Sequence, residues 1–172
     1  LARSRVVMVE LSPMLDIGQA LLSLHAVREV HTVSVDGECR ELLLVLAAGE
    51  CRPAYHCVNL GRHPQSFVTS ERHAQPRIAG APGQFLYEPN ASILKAGVQD
   101  ALCESMDVSK LHPFSHLFTS DILRQNFPGR SFCVDGISTC GKRKLKSFLR
   151  DVRQANLAVR NFPSTVAQLR KQ

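Results

Sequence analysis

The chain has 172 residues, a formal net charge of +6, and 44% hydrophobic against 21% charged residues. That balance supplies one good core or two small ones and excludes a disordered tail. No apolar run approaches the ~20 residues of a membrane-spanning helix, so a soluble protein with no membrane partner is expected.

Residues 5–11 read as a nearly continuous apolar strand, the kind found in parallel sheets with neighbours on both sides. Ser12-Pro13 then forms a helix start, because Ser accepts a bond from an orphan amide and Pro costs nothing at the first helical position. Leu15, Leu21, Leu22 and Leu24 give that helix its apolar stripe. Residues 27–35 and 39–47 are β-rich, and Asp36-Gly37 between them is a hairpin turn signal. A strand, a helix and a closing antiparallel hairpin resemble the last third of a doubly wound sheet with an antiparallel edge. Ligands of such sheets sit at the carboxyl ends of the strands, where Ser12, Pro13, Met14 and Asp16 fall. Helix capping by Ser12 and a first-turn acid at Asp16 account for the same residues.

From residue 52 to 83 the pattern loosens under Pro and Gly, with only residues 66–69 strand-like, so a linker with one short sheet element is predicted. Residues 84–88 form a strand, and a helix begins near Asn90 with Ile93, Leu94, Val98, Ala101 and Leu102 on one face; Gly97 splits it in two. His112-Pro113 forces extension before a strand over 115–120. A turn at 127–130 precedes a strand at 131–135 and a helix at 142–154, whose buried face is Leu145, Phe148, Leu149 and Val152. A strand at 156–160 and a helix after Pro163 complete a small α+β module.

The six cysteines, at 39, 51, 57, 103, 133 and 140, show no Cys-x-x-Cys pair and no zinc-ribbon spacing, which predicts reduced thiols and a cytoplasmic location. Cys51 and Cys57 flank His56 without a metal-ligand spacing. His112 and His116 stand four apart, but Pro113 denies them a helix, and on a strand they lie ~13 Å apart. Ser115, His116 and Asp121 have the residue types of a hydrolase triad, yet neighbours on a strand point to opposite faces. Neither a metal site nor a catalytic set is therefore assigned. Neither Gly-x-Gly-x-x-Gly nor a phosphate-binding loop is present.

Charge gives the best functional signal. Lys142, Arg143, Lys144, Lys146, Arg150, Arg153, Arg160, Arg170 and Lys171 face a lone acid, Asp151, over residues 142–172. A localised basic surface attracts polyanions. With few aromatics available for base stacking, structured RNA suits it better than a single strand. Lys142, Lys146, Arg150, Arg153 and Arg160 are the candidate RNA contacts. Arg160-Asn161 also precedes a Pro-initiated helix, where exposed amides either bind phosphate or serve the fold alone.

Several segments carry a family likeness: 11–17 (Leu-Ser-Pro-Met-Leu-Asp-Ile), 37–43, 86–97 with Glu88-Pro89-Asn90, 112–121, Phe127-Pro128-Gly129-Arg130 and Arg160-Asn161-Phe162-Pro163. In these the chain resembles the C-terminal half of a bacterial family of class I S-adenosylmethionine-dependent methyltransferases with a THUMP-like C-terminal domain. The resemblance implies an α/β and α+β fold: residues 1–60 the last part of a doubly wound methyltransferase sheet, 61–83 a linker, 84–126 a ferredoxin-like module and 127–172 a THUMP-like module. THUMP domains are associated with structured RNA such as tRNA, so RNA is the implied partner. S-adenosylmethionine is the implied cofactor, touched here at most by Ser12 and Pro13. The family's cofactor loop and Asp-Pro-Pro-type motif are expected upstream of Leu1, in a methyltransferase domain that becomes a further partner, and the isolated chain is not expected to be active. The rival expectation is a non-catalytic protein-interaction module or homodimer.

Overall fold

The computed structural model describes residues 4–49, 52–139, 141–160 and 163–170. Two sheets carry the fold. The first has five strands in the order β1-β3-β2-β4-β5, from β1 (Val6–Leu11), β2 (Val27–Val35), β3 (Glu38–Ala47), β4 (Ala54–Leu60) and β5 (Gln65–Thr69). Strand β3 runs antiparallel to both β1 and β2, β2 and β4 are parallel, and β5 returns antiparallel to β4. The second sheet is antiparallel, in the order β7-β8-β6-β9, from β6 (Phe85–Pro89), β7 (Ser109–Lys110), β8 (Phe118–Ser120) and β9 (Gly129–Cys133).

The β2–β3 turn forms where expected, with Asp36 and Gly37 both at positive φ (51° and 83°), the geometry whose twist matches a hairpin. Helix α1 (Ile17–Ser23) starts later than the sequence suggests. Asp16 is its cap, accepting the Gln19 amide at 2.9 Å, while Ser12 closes a separate turn whose carbonyl accepts the Leu15 amide. Ile17 and Ala20 consequently face the core, and Leu15 and Leu22 are exposed.

Helix α2 (Ala91–Ala96) ends on Gly97 at φ 72°, and a 3-10 turn (Gln99–Ala101) leads into α3 (Leu102–Ser105), so Gly97 does divide the run. Helix α2 packs on β2, β3 and β4, and Thr32 donates its hydroxyl to the Ser92 carbonyl at 2.9 Å. One core cluster joins Val30, Leu42 and Leu44 of the first sheet to Ile93 and Leu102, and on to Tyr87 and Phe118 of the second and Phe127 from the turn before β9. The short strand expected at 66–69 is β5, but the rest of the segment is more structured than a linker: β4 is a further strand of the first sheet, and Ile78 bridges Lys110.

Strand β1 also departs from its sequence reading. It pairs antiparallel with β3 where parallel neighbours are expected; no second strand borders it among the described residues, and Val6 and Met8 are exposed. A doubly wound methyltransferase sheet is therefore not what these strands by themselves form.

The C-terminal region differs most from expectation. Helix α4 spans only Lys142–Phe148 and buries no residue; Phe148, Leu149 and Val152 are exposed. Residues 156–160 form no strand. Helix α5 (Val166–Leu169) begins at Thr165, whose hydroxyl and Gln168 complete a capping box. Among the described residues, no helix is long and apolar enough to cross a membrane.

Candidate nucleic-acid interface

Helix α4 places Lys142 and Lys146 one turn apart. Arg150 and Arg153 follow beyond its end, and all four side chains are exposed. Among the described residues, none of the four lies within ion-pair distance of an acid. Their charge is uncompensated locally and open to solvent, which is what an electrostatic footprint for a polyanion requires.

Arg160 is placed differently. Its Nε donates to Glu88 Oε1 at 2.8 Å, and a terminal nitrogen bonds the same oxygen. Arg130 bonds the other carboxylate oxygen, from a position opposite Glu88 in the β6–β9 register. Burial pushes the Glu88 carboxyl up, but the bonds from Arg160 and then Arg130 outweigh it and hold the group below its ordinary range. Glu88 thereby ties the segment before Pro163 to the second sheet.

This trio forms one wall of a cleft of about 720 Å³ between the two sheets. The opposite wall is the carboxyl ends of the parallel pair β2 and β4, with Asp36 after one and Arg62 and His63 after the other; His116 also lines it. Three guanidiniums thus share the cleft with two carboxylates, Glu88 and Asp36.

Ser12 and Pro13 are not part of this cleft. Ser12 Oγ accepts the Met14 amide at 3.3 Å, and the following turn is fixed by Lys95, whose Nζ donates to the Leu15 carbonyl at 2.7 Å. The hydrolase residues are not assembled: Ser115 Oγ accepts the Leu117 amide, Asp121 Oδ1 accepts the Gln84 amide, and His116 is an exposed cleft residue. His112 Nδ1 accepts the Phe114 amide in a turn. Cys39, Cys57, Cys103 and Cys133 are free, and burial pushes the Cys57 thiol up to about 11. Cys51, Cys140, Asn161 and Lys171 lie outside the described residues.

A second constellation was missed by sequence reasoning. On the open face of the first sheet, His31 of β2 and His56 of β4 are register partners, and their rings stack at 4.5 Å with an interplanar angle of 9°. Glu29 joins them, with Oε2 2.7 Å from His31 Nε2. The i, i+2 spacing of Glu29 and His31 was readable as one strand face, but the β2–β4 register was not.

Comparison with known proteins follows the second sheet and the basic region. Residues 85–128 match the ferredoxin-like domain family, and residues 129–172 match the THUMP domain-like family. The chain carries a ferredoxin-like and a THUMP-like domain. In this light β6, α2, α3, β7 and β8 belong to the ferredoxin-like domain, and β9, α4 and α5 to the THUMP-like one. The crystal structure of a putative methyltransferase from Porphyromonas gingivalis W83 is similar over 96% of this chain, with a TM-score of 0.84 and 33% identity. The chain spans 44% of that protein's length. No curated protein matches the chain.

Proposed function

We propose that the chain is the RNA-holding part of an S-adenosylmethionine-dependent RNA methyltransferase. The observation that carries this reading is the exposed set Lys142, Lys146, Arg150 and Arg153, free of acidic partners among the described residues and lying within the THUMP-like domain. The likeness to a longer protein named as a putative methyltransferase supports the catalytic class. In this reading the RNA is structured, tRNA being the natural candidate, and its phosphates meet the basic segment. Arg160 anchors that segment to Glu88 and presents its remaining donors at the cleft. The cofactor and the transferred methyl belong to a methyltransferase domain beyond these 172 residues. The β1-α1-β2 crossover, with β3 inserted antiparallel, supports a sheet that continues across the free edge of β1.

The test is fluorescence anisotropy of labelled tRNA with the 172-residue chain, comparing wild type with the fourfold variant Lys142→Ala, Lys146→Ala, Arg150→Ala, Arg153→Ala. Four phosphate contacts predict a log K against log salt slope of about −3 to −4, and an affinity loss of about 60- to 250-fold between 50 and 200 mM salt. The variant is expected to lose most of that slope. Equal affinity and slope in the two proteins sink the proposal.

A second reading, a protein-interaction or dimerisation module, is favoured by one observation: Phe148, Leu149 and Val152 are all exposed beside the basic face. Salt-insensitive self-association in sedimentation, without RNA retention, selects it.

A further inference from the structure

The parallel pairing of β2 with β4 sets His31 directly opposite His56, and side chains so opposed in a sheet stand about 4.8 Å apart at their base. Glu29, two residues before His31, shares its face. The result is three metal-ligating side chains of which one ligand atom each lies within 4.8 Å of the others. All three are half-buried, so their motion is restricted while the cluster stays open to solvent.

A tetrahedral divalent ion bound at about 2.0–2.1 Å by imidazole nitrogen and carboxylate oxygen needs its donors roughly 3.4 Å apart. The cluster is within side-chain rotation of that spacing. Two imidazoles and one carboxylate are a borderline donor set, matched to Zn²⁺ and its neighbours rather than to Mg²⁺ or Ca²⁺, which prefer all-oxygen shells. The geometry points to a site new to this protein: we propose that Glu29, His31 and His56 bind one Zn²⁺-class ion, with a fourth position open to water on the uncovered sheet face. This site is independent of the RNA proposal, since it shares no residue with the basic segment or the cleft.

The competing interpretation is a surface ion pair beside a stacked histidine. Titration of the reduced 172-residue chain with Co²⁺ distinguishes them, because four-coordinate cobalt absorbs strongly in the visible and six-coordinate cobalt does not. Wild type is expected to develop that band at one equivalent, to lose it on adding Zn²⁺, and to melt higher with Zn²⁺ than without. His56→Gln is expected to abolish the band and weaken Zn²⁺ binding in calorimetry by more than about tenfold. Glu29→Gln, which keeps the shape of the side chain, serves if His56→Gln fails to fold, and is expected to weaken binding likewise. His116→Gln and Cys133→Ser leave binding unchanged. Absence of the band in wild type, or Zn²⁺ affinity and stoichiometry that survive the Glu29 and His56 substitutions, overturns the proposal.

Discussion

Glu88→Gln isolates the contact by which the basic region is held. The substitution preserves side-chain shape and removes the charge that Arg130 and Arg160 share. Hydrogen bonds to charged groups contribute about 1.5–3 kcal/mol when desolvated, but exposed ion pairs give only about 0–1 kcal/mol. Glu88 is 14% exposed, while Arg130 and Arg160 are 66% and 42% exposed, so solvent screens both arms. The expected loss is about 1–2 kcal/mol, a fall in Tm of about 2–8 °C at ~2–4 °C per kcal/mol for a chain of this size. Because the folded carboxyl lies below its ordinary value, its stabilisation is present above about pH 4.3 and is lost as pH falls through the folded value. The Tm gap between wild type and variant therefore narrows in acid. The same substitution leaves two guanidiniums unneutralised in the cleft, so tRNA affinity is expected to rise severalfold even as stability falls. A cycle of Glu88→Gln with Arg160→Gln, read by denaturant melts, should show clear coupling. Coupling under about 0.3 kcal/mol, at the limit of additivity, or an unchanged Tm, refutes the anchoring argument.

Three further outcomes follow from closely packed groups. Lys110, 3% exposed, has Asp100 as its ion-pair partner at 2.6 Å; Asp100→Asn should cost about 3 kcal/mol by stranding the ammonium, and Lys110→Met much less, as urea melts will show. A Cβ on Gly129 would sit 2.2 Å from the Glu88 carbonyl oxygen, so Gly129→Ala should lose about 2–3 kcal/mol in the same melts through backbone displacement. At pH 8 the Cys57 thiol, raised to about 11 by burial, is ionised in only roughly one molecule in a thousand; timed alkylation with mass spectrometry should modify exposed Cys133 first and Cys57 only after unfolding.

Local chemistry was legible and long-range pairing was not. Asp36-Gly37 announced its hairpin because both residues tolerate positive φ, a property of the dipeptide alone. Gly97 likewise announced a helix end. The Tyr55 and Cys57 alternation of β4 was present but sat behind Pro53 among polar residues, so the segment read as linker. Helix α4 shows the opposite error: its apolar spacing is helical, but it buries none of its residues, and periodicity alone cannot say how much of a face will be covered. Ser12 and Asp16 are both good caps, and the choice between them depended on how Ile17 and Ala20 meet the core. The cleft joins Arg62, Arg130 and Arg160 from three distant stretches: β6–β9 register sets Arg130 opposite Glu88, the ion pair to Glu88 brings in Arg160, and packing of one sheet on the other brings in Arg62.

That register links the two candidate sites. Pairing β2 in parallel with β4 aligns their carboxyl ends at the cleft, and the same alignment places His31 against His56. Because side chains alternate along a strand, a slip of one residue between β2 and β4 would destroy both features and turn Thr32 or Cys57, on whichever strand slips, out of the core. The slip is resisted from the core side, where Thr32 bonds the Ser92 carbonyl and Ser34 bonds Asn59 at 2.8 Å across the same pair. The buried polar contacts on one face thus hold the histidines in place on the other.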